Sequence, residues 1–277
     1  MTVDVEDYFQ VQAFAGCVDR GAWDGFASRV EANVDRILGQ FASAGVSATF
    51  FTLGWIAERH PAMIRRIVAE GHELASHGYD HTRADSQDRM TFLMDVTRTR
   101  KLLEDIGGIA VHGYRAATFS IGSRNPWAFH ALEEAGYTYS SSVNPIRHDL
   151  YGMPDAPRTP YHPDDSALVE IPMTTLRAFG RNWPCSGGGY FRLLPYSVFR
   201  HALAAVNRQQ AGVFYFHPWE VDPGQPRIDG AGWKSRFRHY TNLSRMAGRL
   251  DQLLRDFAWD RMDRVFADTM GTAAQVH

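Results

Sequence analysis

The sequence predicts an α/β fold built on a parallel sheet, and two observations carry that reading. Short apolar, β-rich runs alternate with amphipathic helical stretches along the chain. The chain of 277 residues is 44% hydrophobic, enough to bury roughly 75% of the surface its unfolded form exposes. No run approaches the ~18 apolar residues of a membrane span.

Residues 2–6 read as a first strand. Residues 28–44 read as a helix. Ser28 and Glu31 have capping-box spacing, Val30, Val34, Ile37, Leu38 and Phe41 share one face, and Gly45 can stop it. The run SATFFTL at 47–53 is a strand. A helix over 61–70 ends at Gly71, and 72–76 is a short strand. The long helix predicted over 88–106 stops at Gly107 and Gly108, and 111–115 is a strand. Asn125-Pro126 opens another helix, which Gly136 ends. Residues 137–140, 168–171 and 212–217 are further strands, and 195–209 and 242–257 are helical. The stretch 148–163, rich in Pro, Asp, Tyr and His, reads as a long functional surface loop. There is no internal repeat, low-complexity tract or linker.

Lys and Arg number 29 against 31 Asp and Glu, a net charge of -2, which argues against a nucleic-acid protein held by a basic field. Cys17 and Cys185 are too few for a disulfide framework or a cysteine zinc site and read as unpaired thiols. The first seven residues carry acids where a signal peptide would be basic and then apolar, so the expectation is work in the cytoplasm.

In an α/β barrel the active site lies at the C-terminal ends of the strands, and reactive side chains collect at those ends here. Asp4 and Glu6 end the first strand, two residues apart, so alternation places both carboxylates on one face. His77 and His81, in Ser-His-Gly-Tyr-Asp-His, converge on one cation if the segment is one helical turn. Two histidines and a carboxylate suit zinc or another divalent metal. His72, within its strand, reads as structural. Arg115 can fix a carboxylate through a bidentate pair. His217, delivered by an apolar strand, suits a general acid.

These residues and their order resemble the polysaccharide deacetylase family, whose catalytic unit is the NodB homology domain. TVDVED looks like the first acidic motif, SATFFTLG the second strand, and GHELASHGYDH the metal-binding motif. YRAATF is similar to the arginine motif, and FYFHP to the last histidine motif. VEDYF and SGGGYFR (186–192), with a C-terminal extension, further resemble a subgroup tied to bacterial exopolysaccharide loci and exosortase systems. The resemblance implies a distorted (β/α) barrel of about seven strands. It implies a catalytic domain over 1–240, with a helical extension over 241–277 packed on it.

It also implies metal-dependent removal of N-acetyl groups from amino sugars of a bacterial polysaccharide or its precursor. By the family's pattern Asp4 is the general base, Glu6, His77 and His81 hold one divalent metal, most simply zinc, Arg115 orients Asp4, and His217 is the general acid. The family's motif has adjacent aspartates. Aligning Glu6-Asp7 with them would instead make Glu6 the base and Asp7 the ligand. The family also places an aspartate near residue 140 to tune its histidine. Here 137–143 reads YTYSSSV, without an acid, and Glu220 and Asp222 are the candidates to replace it. Phe119, Trp127, Tyr190 and Trp219 are the aromatic candidates for stacking on sugar rings, Tyr190 and Trp219 foremost. Two rival readings are a metal-dependent hydrolase of a cyclic imide or ureide, and a carbohydrate-binding protein without catalysis.

Overall fold

The computed structural model describes residues 1–163 and 166–271. In chain order the first half contains β1 (Thr2–Val5), α1 (Val30–Ala44), β2 (Thr49–Thr52), α2 (Gly54–Arg59), α3 (Pro61–Ala69), β3 (Glu73–Ser76), α4 (Arg89–Gly107), β4 (Gly113–Tyr114), α5 (Trp127–Glu134) and β5 (Tyr139–Ser140). The second half contains β6 (Val169–Glu170), β7 (Thr175–Ala178), β8 (Arg181–Pro184), α6 (Gly188–Leu193), α7 (Tyr196–Asn207), β9 (Tyr215–Phe216), α8 (Trp233–Tyr240), α9 (Leu243–Asp256) and α10 (Met262–Val265). Seven strands form one all-parallel sheet in the order β6-β5-β4-β3-β2-β1-β9. This is the expected distorted (β/α) barrel of seven strands, with β6 and β9 as its two edges. The hairpin β7–β8 is a separate antiparallel pair.

The register sets which side chains enter the barrel. Asp4 pairs with Phe51, and Phe51 with Ala75. Their neighbours Val3, Phe50 and Leu74 pack with the helices, alongside Val34, Ile37 and Ile64. Phe51, Ala75 and Tyr139 belong to a second cluster with Val169, Met262 and Phe266. Alternation therefore puts Asp4 on the inner face, and α10 closes the opposite end of the interior.

Several elements differ from expectation. Helix α1 starts at Val30, and Ser28 makes no cap; its hydroxyl donates to Asp7 Oδ2 at 2.8 Å. Asp7 itself caps the helix, accepting the backbone N–H groups of Arg29 (2.7 Å) and Val30 (3.1 Å). A carboxylate from a distant segment has replaced the local capping box. Helices α2, α6 and α8 and the hairpin β7–β8 lie where no element was expected; α2 and α6 are only six residues each, too short for a periodic signal. Cys17 and Cys185 are free.

Helix α9 buries Leu243, Met246, Leu250, Leu253 and Leu254 and contacts α1 and α6. The last part of the expected 241–277 extension, 272–277, lies outside the described residues. Among the described residues no helix is long and apolar enough to cross a membrane.

Candidate metal centre and active site

The parallel strands deliver five reactive side chains to one end of the barrel. Strand β1 ends at Val5, where the Glu6 N–H turns back onto the Asp4 carbonyl (3.0 Å). Both carboxylates still reach one site. His77 follows β3 and keeps the ladder for one more step, donating its N–H to the Thr52 carbonyl (3.0 Å). The segment to His81 is not a helical turn. Gly78 has φ of +78° and His81 of +59°, so the chain bends through left-handed conformations. That bend, rather than helical spacing, brings the two imidazoles together, with ring centroids 5.3 Å apart.

Glu6, His77 and His81 offer ligand atoms that all lie within 4.8 Å of one another, and all three residues are buried. The donor set fits a divalent cation. His77 Nδ1 donates to the Arg115 carbonyl at 2.8 Å, which leaves Nε2 as a lone pair. Glu6 Oε2 is buried without a hydrogen bond, although His81 Nε2 stands 3.1 Å away. Burial pushes His77 down to about 4 and His81 well below the ordinary range, so both rings are neutral near pH 7, the state a metal ligand requires. The same burial pushes Glu6 up to about 7, opposed by His217 and by the Trp219 indole N–H. A cation in the cluster would remove that cost.

Asp4 and Arg115 form a buried ion pair, Arg115 Nη1 to Asp4 Oδ1 at 2.6 Å. Arg115 also donates to Thr2 Oγ1, to the Ser141 carbonyl and to Ser141 Oγ, and its guanidinium lies 4.0 Å over the Phe51 ring. Every arm of the fork is used, so the carboxylate is held rigidly.

His217 follows β9. Its Nε2 is 3.4 Å from Glu6 Oε1, and its Nδ1 is 2.8 Å from Glu220 Oε1. Burial works against its charge, yet Glu6 and Glu220 outweigh burial and push it up to about 9. Asp222, the other candidate for this partner, is engaged elsewhere, with the Arg29 guanidinium and Asn33. Near residue 140 a buried acid does arrive from β6, but it is spent on the backbone rather than on His217. Glu170 Oε1 accepts the N–H groups of Ser142 and Val143, at 2.9 and 2.8 Å.

Asp4, Glu6, His77, His81 and His217 line one cavity of about 600 Å³. Tyr190 and Phe119 also line it, whereas Trp127 packs on Phe92 and does not. Trp219, the other aromatic expected to stack on sugar, lines the cavity as well. Its ring also stacks on His217 and His239, with centroids at 5.1 and 4.0 Å, and its indole N–H donates to Glu6 Oε1 at 3.2 Å. Only 6% of Trp219 is exposed. His72 is structural: its Nδ1 accepts the Ala48 N–H at 3.1 Å.

Residues 14–140 match the family model described as Polysaccharide deacetylase. The chain carries a polysaccharide deacetylase domain. Residues 141–267 match a second model, described as a domain of unknown function, DUF3473. The deacetylase domain and this second region share the seven-stranded sheet, because β6 and β9 come from the second region. His217 and Glu220 belong to it as well.

A stretch of 75 residues is 32% identical to a peptidoglycan-N-acetylglucosamine deacetylase of Bacillus cereus, covering 27% of this chain and 27% of that protein. Another of 68 residues is 34% identical to a chitooligosaccharide deacetylase of Rhizobium leguminosarum bv. trifolii, covering 24% of this chain and 32% of that one. The matches thus span less than a third of either relative. Among solved structures, a Mycobacterium smegmatis protein proposed to be a polysaccharide deacetylase superposes with a TM-score of 0.61 at 22% identity, over 97% of this chain and 90% of that one. An allantoinase superposes with a TM-score of 0.56 at 18% identity, over 88% and 74%. Both likenesses are of fold.

Proposed function

We propose that the protein is a metal-dependent hydrolase that removes N-acetyl groups from amino sugars of a polysaccharide or its precursor. One observation carries this reading. The Glu6–His77–His81 cluster opens on the same cavity as an arginine-held carboxylate, Asp4, and a histidine, His217. That set provides a cation site, a base and an acid, which amide hydrolysis requires.

A divalent cation, most simply zinc, held by Glu6, His77 and His81 supplies a Lewis acid for the acetyl carbonyl and acidifies the attacking water. Asp4, fixed by Arg115, takes the proton from that water. His217 protonates the departing amine from Nε2, the ring nitrogen not engaged by Glu220. Tyr190 offers a half-buried aromatic face for a sugar ring at the cavity wall. The cavity suits one or two sugar units with the rest of a chain outside.

Residues 1–240 form the catalytic unit in this reading, with the helices after 241 packed on it. The VEDYF and SGGGYFR (186–192) motifs support a place in the exopolysaccharide-linked subgroup.

The test is acetate release from N-acetylglucosamine oligomers, before chelation, after it, and after zinc is restored. Release that depends on the metal supports the reading. Ring opening of a cyclic imide without acetate release would replace it with the C–N hydrolase reading. Saccharide binding that survives chelation without turnover would leave a binding protein.

A further inference from the structure

His217 is held from behind by residues of the second matched region. Glu220 Oε1 accepts two hydrogen bonds from His217, one from the ring Nδ1 at 2.8 Å and one from the backbone N–H at 3.2 Å. The other carboxylate oxygen, Oε2, accepts from Arg192 Nε at 2.7 Å. Both residues are buried, Glu220 at 1% and Arg192 at 2% exposure. Arg192 is clamped in turn. It donates to the backbone carbonyls of Arg238 (3.1 Å), His239 (3.0 Å) and Thr241.

The approach of these groups requires Gly188. A Cβ there would stand 2.3 Å from Glu220 Oε1 and 2.4 Å from Oε2. The Ser-Gly-Gly-Gly-Tyr-Phe-Arg run at 186–192 therefore contributes a gap at Gly188 and a cation at Arg192, both addressed to one carboxylate. That carboxylate has a single outward partner, the His217 ring.

We propose that Glu220, clamped by Arg192 and admitted by Gly188, is the positioning residue of His217. It fixes the ring so that Nδ1–H faces Glu220 and Nε2 faces Glu6 and the cavity. The proposal deepens the deacetylase reading, because it rests on His217 as the proton donor. It also gives the region matched by the model of unknown function a task in the reaction: to aim the acid.

The geometry distinguishes this role from simple packing. A glutamine at 220 has one oxygen and one NH2. It cannot accept from both the His217 ring and Arg192, so one donor must face another donor. Gly188→Ala changes no titratable group, yet it displaces the carboxylate. If Glu220 positions His217, both variants disturb the same ring.

The experiment uses the full chain loaded with zinc, and nitrogen-15 NMR of the His217 ring alongside kinetics on N-acetylglucosamine oligomers. In the unmodified protein the ring, once neutral, should carry its proton on Nδ1. A proton on Nε2 overturns the proposal without any variant, and so holds even if the variants fail to fold. In Glu220→Gln and Gly188→Ala the ring should show mixed tautomers. kcat should fall roughly 10–100-fold, as for other groups that orient a histidine, with KM within about twofold and zinc content unchanged. An unchanged kcat and tautomer in Glu220→Gln overturns the proposal. If the unmodified protein releases no acetate, the deacetylase reading fails, while the ring tautomer still decides whether Glu220 positions His217.

Discussion

Arg115, just past the end of β4, and Asp4, on β1, meet inside the barrel as a fully buried pair, 2.6 Å apart, although the two strands are not neighbours in the sheet. Removing either partner alone leaves an uncompensated charge in the interior, at a cost of about 3–5 kcal/mol. Arg115→Ala should therefore lower stability by that order in denaturant titrations. Asp4→Asn keeps the shape and an acceptor oxygen but not the base. It should retain its metal and lose turnover by roughly 10²–10⁴. Loss of metal in Asp4→Asn would make Asp4 a ligand instead.

The neighbouring acids Glu6 and Asp7 should separate cleanly. Glu6 faces His81 and His217, whereas Asp7 caps α1 through Ser28, Arg29 and Val30. Glu6→Gln, His77→Ala and His81→Ala should each lose bound metal by elemental analysis. Asp7→Ala should keep a full complement and lose roughly 0.5–2 kcal/mol, the usual worth of a helix cap. Metal loss confined to the Asp7 variant would restore the alternative alignment, with Asp7 as the ligand.

Acid should destabilise the fold through His239. Its ring is buried, bonds Gln225 Oε1 at 2.6 Å, and stacks on Trp219. Burial, reinforced by Arg192, pushes it down to about 3. Because the folded value lies below the unfolded value of ~6.5, its contribution is complete above pH 6.5. It is lost as pH falls from there toward 3, and at most roughly 4–5 kcal/mol is at stake. His239→Phe should flatten the acid side of a stability–pH curve measured by urea unfolding. An unchanged slope would mean that other groups, such as His72, carry the acid sensitivity.

The residues that end strands were legible in the sequence because strand patterns pointed to them. Alternation put Asp4 inside the barrel, and an apolar run delivered His217, whereas Glu6 lies past the end of β1 and reaches the site through a turn. What the sequence hid was reached through turns and distant partners. His77 and His81 converge through left-handed residues at 78 and 81, not through a helix. Asp7 spends its carboxylate on a helix that starts more than twenty residues later. Trp219 lines the cavity, but its stacking on His239, twenty residues on, which leaves little of it exposed, has no local signal. Arg192 stood within a quoted motif, and nothing local shows that an arginine there is buried. Only its three carbonyl partners near residue 240 and Glu220 explain it.

The assignment of His217 as proton donor makes a prediction that depends on the leaving group. An amine leaves an amide as a strong base and needs a proton, whereas 4-nitrophenolate leaves an ester without one. His217→Ala removes the donor but none of Glu6, His77 and His81. The variant should keep its metal and lose roughly 10²–10⁴ in kcat on N-acetylglucosamine oligomers. On 4-nitrophenyl acetate it should work within a few-fold of the unmodified protein, because Asp4, the metal and the cavity remain. The comparison cancels any general damage to the site, which would depress both substrates alike. Equal losses on amide and ester would therefore remove His217 from the proton-transfer step and assign it to holding Glu6, 3.4 Å away.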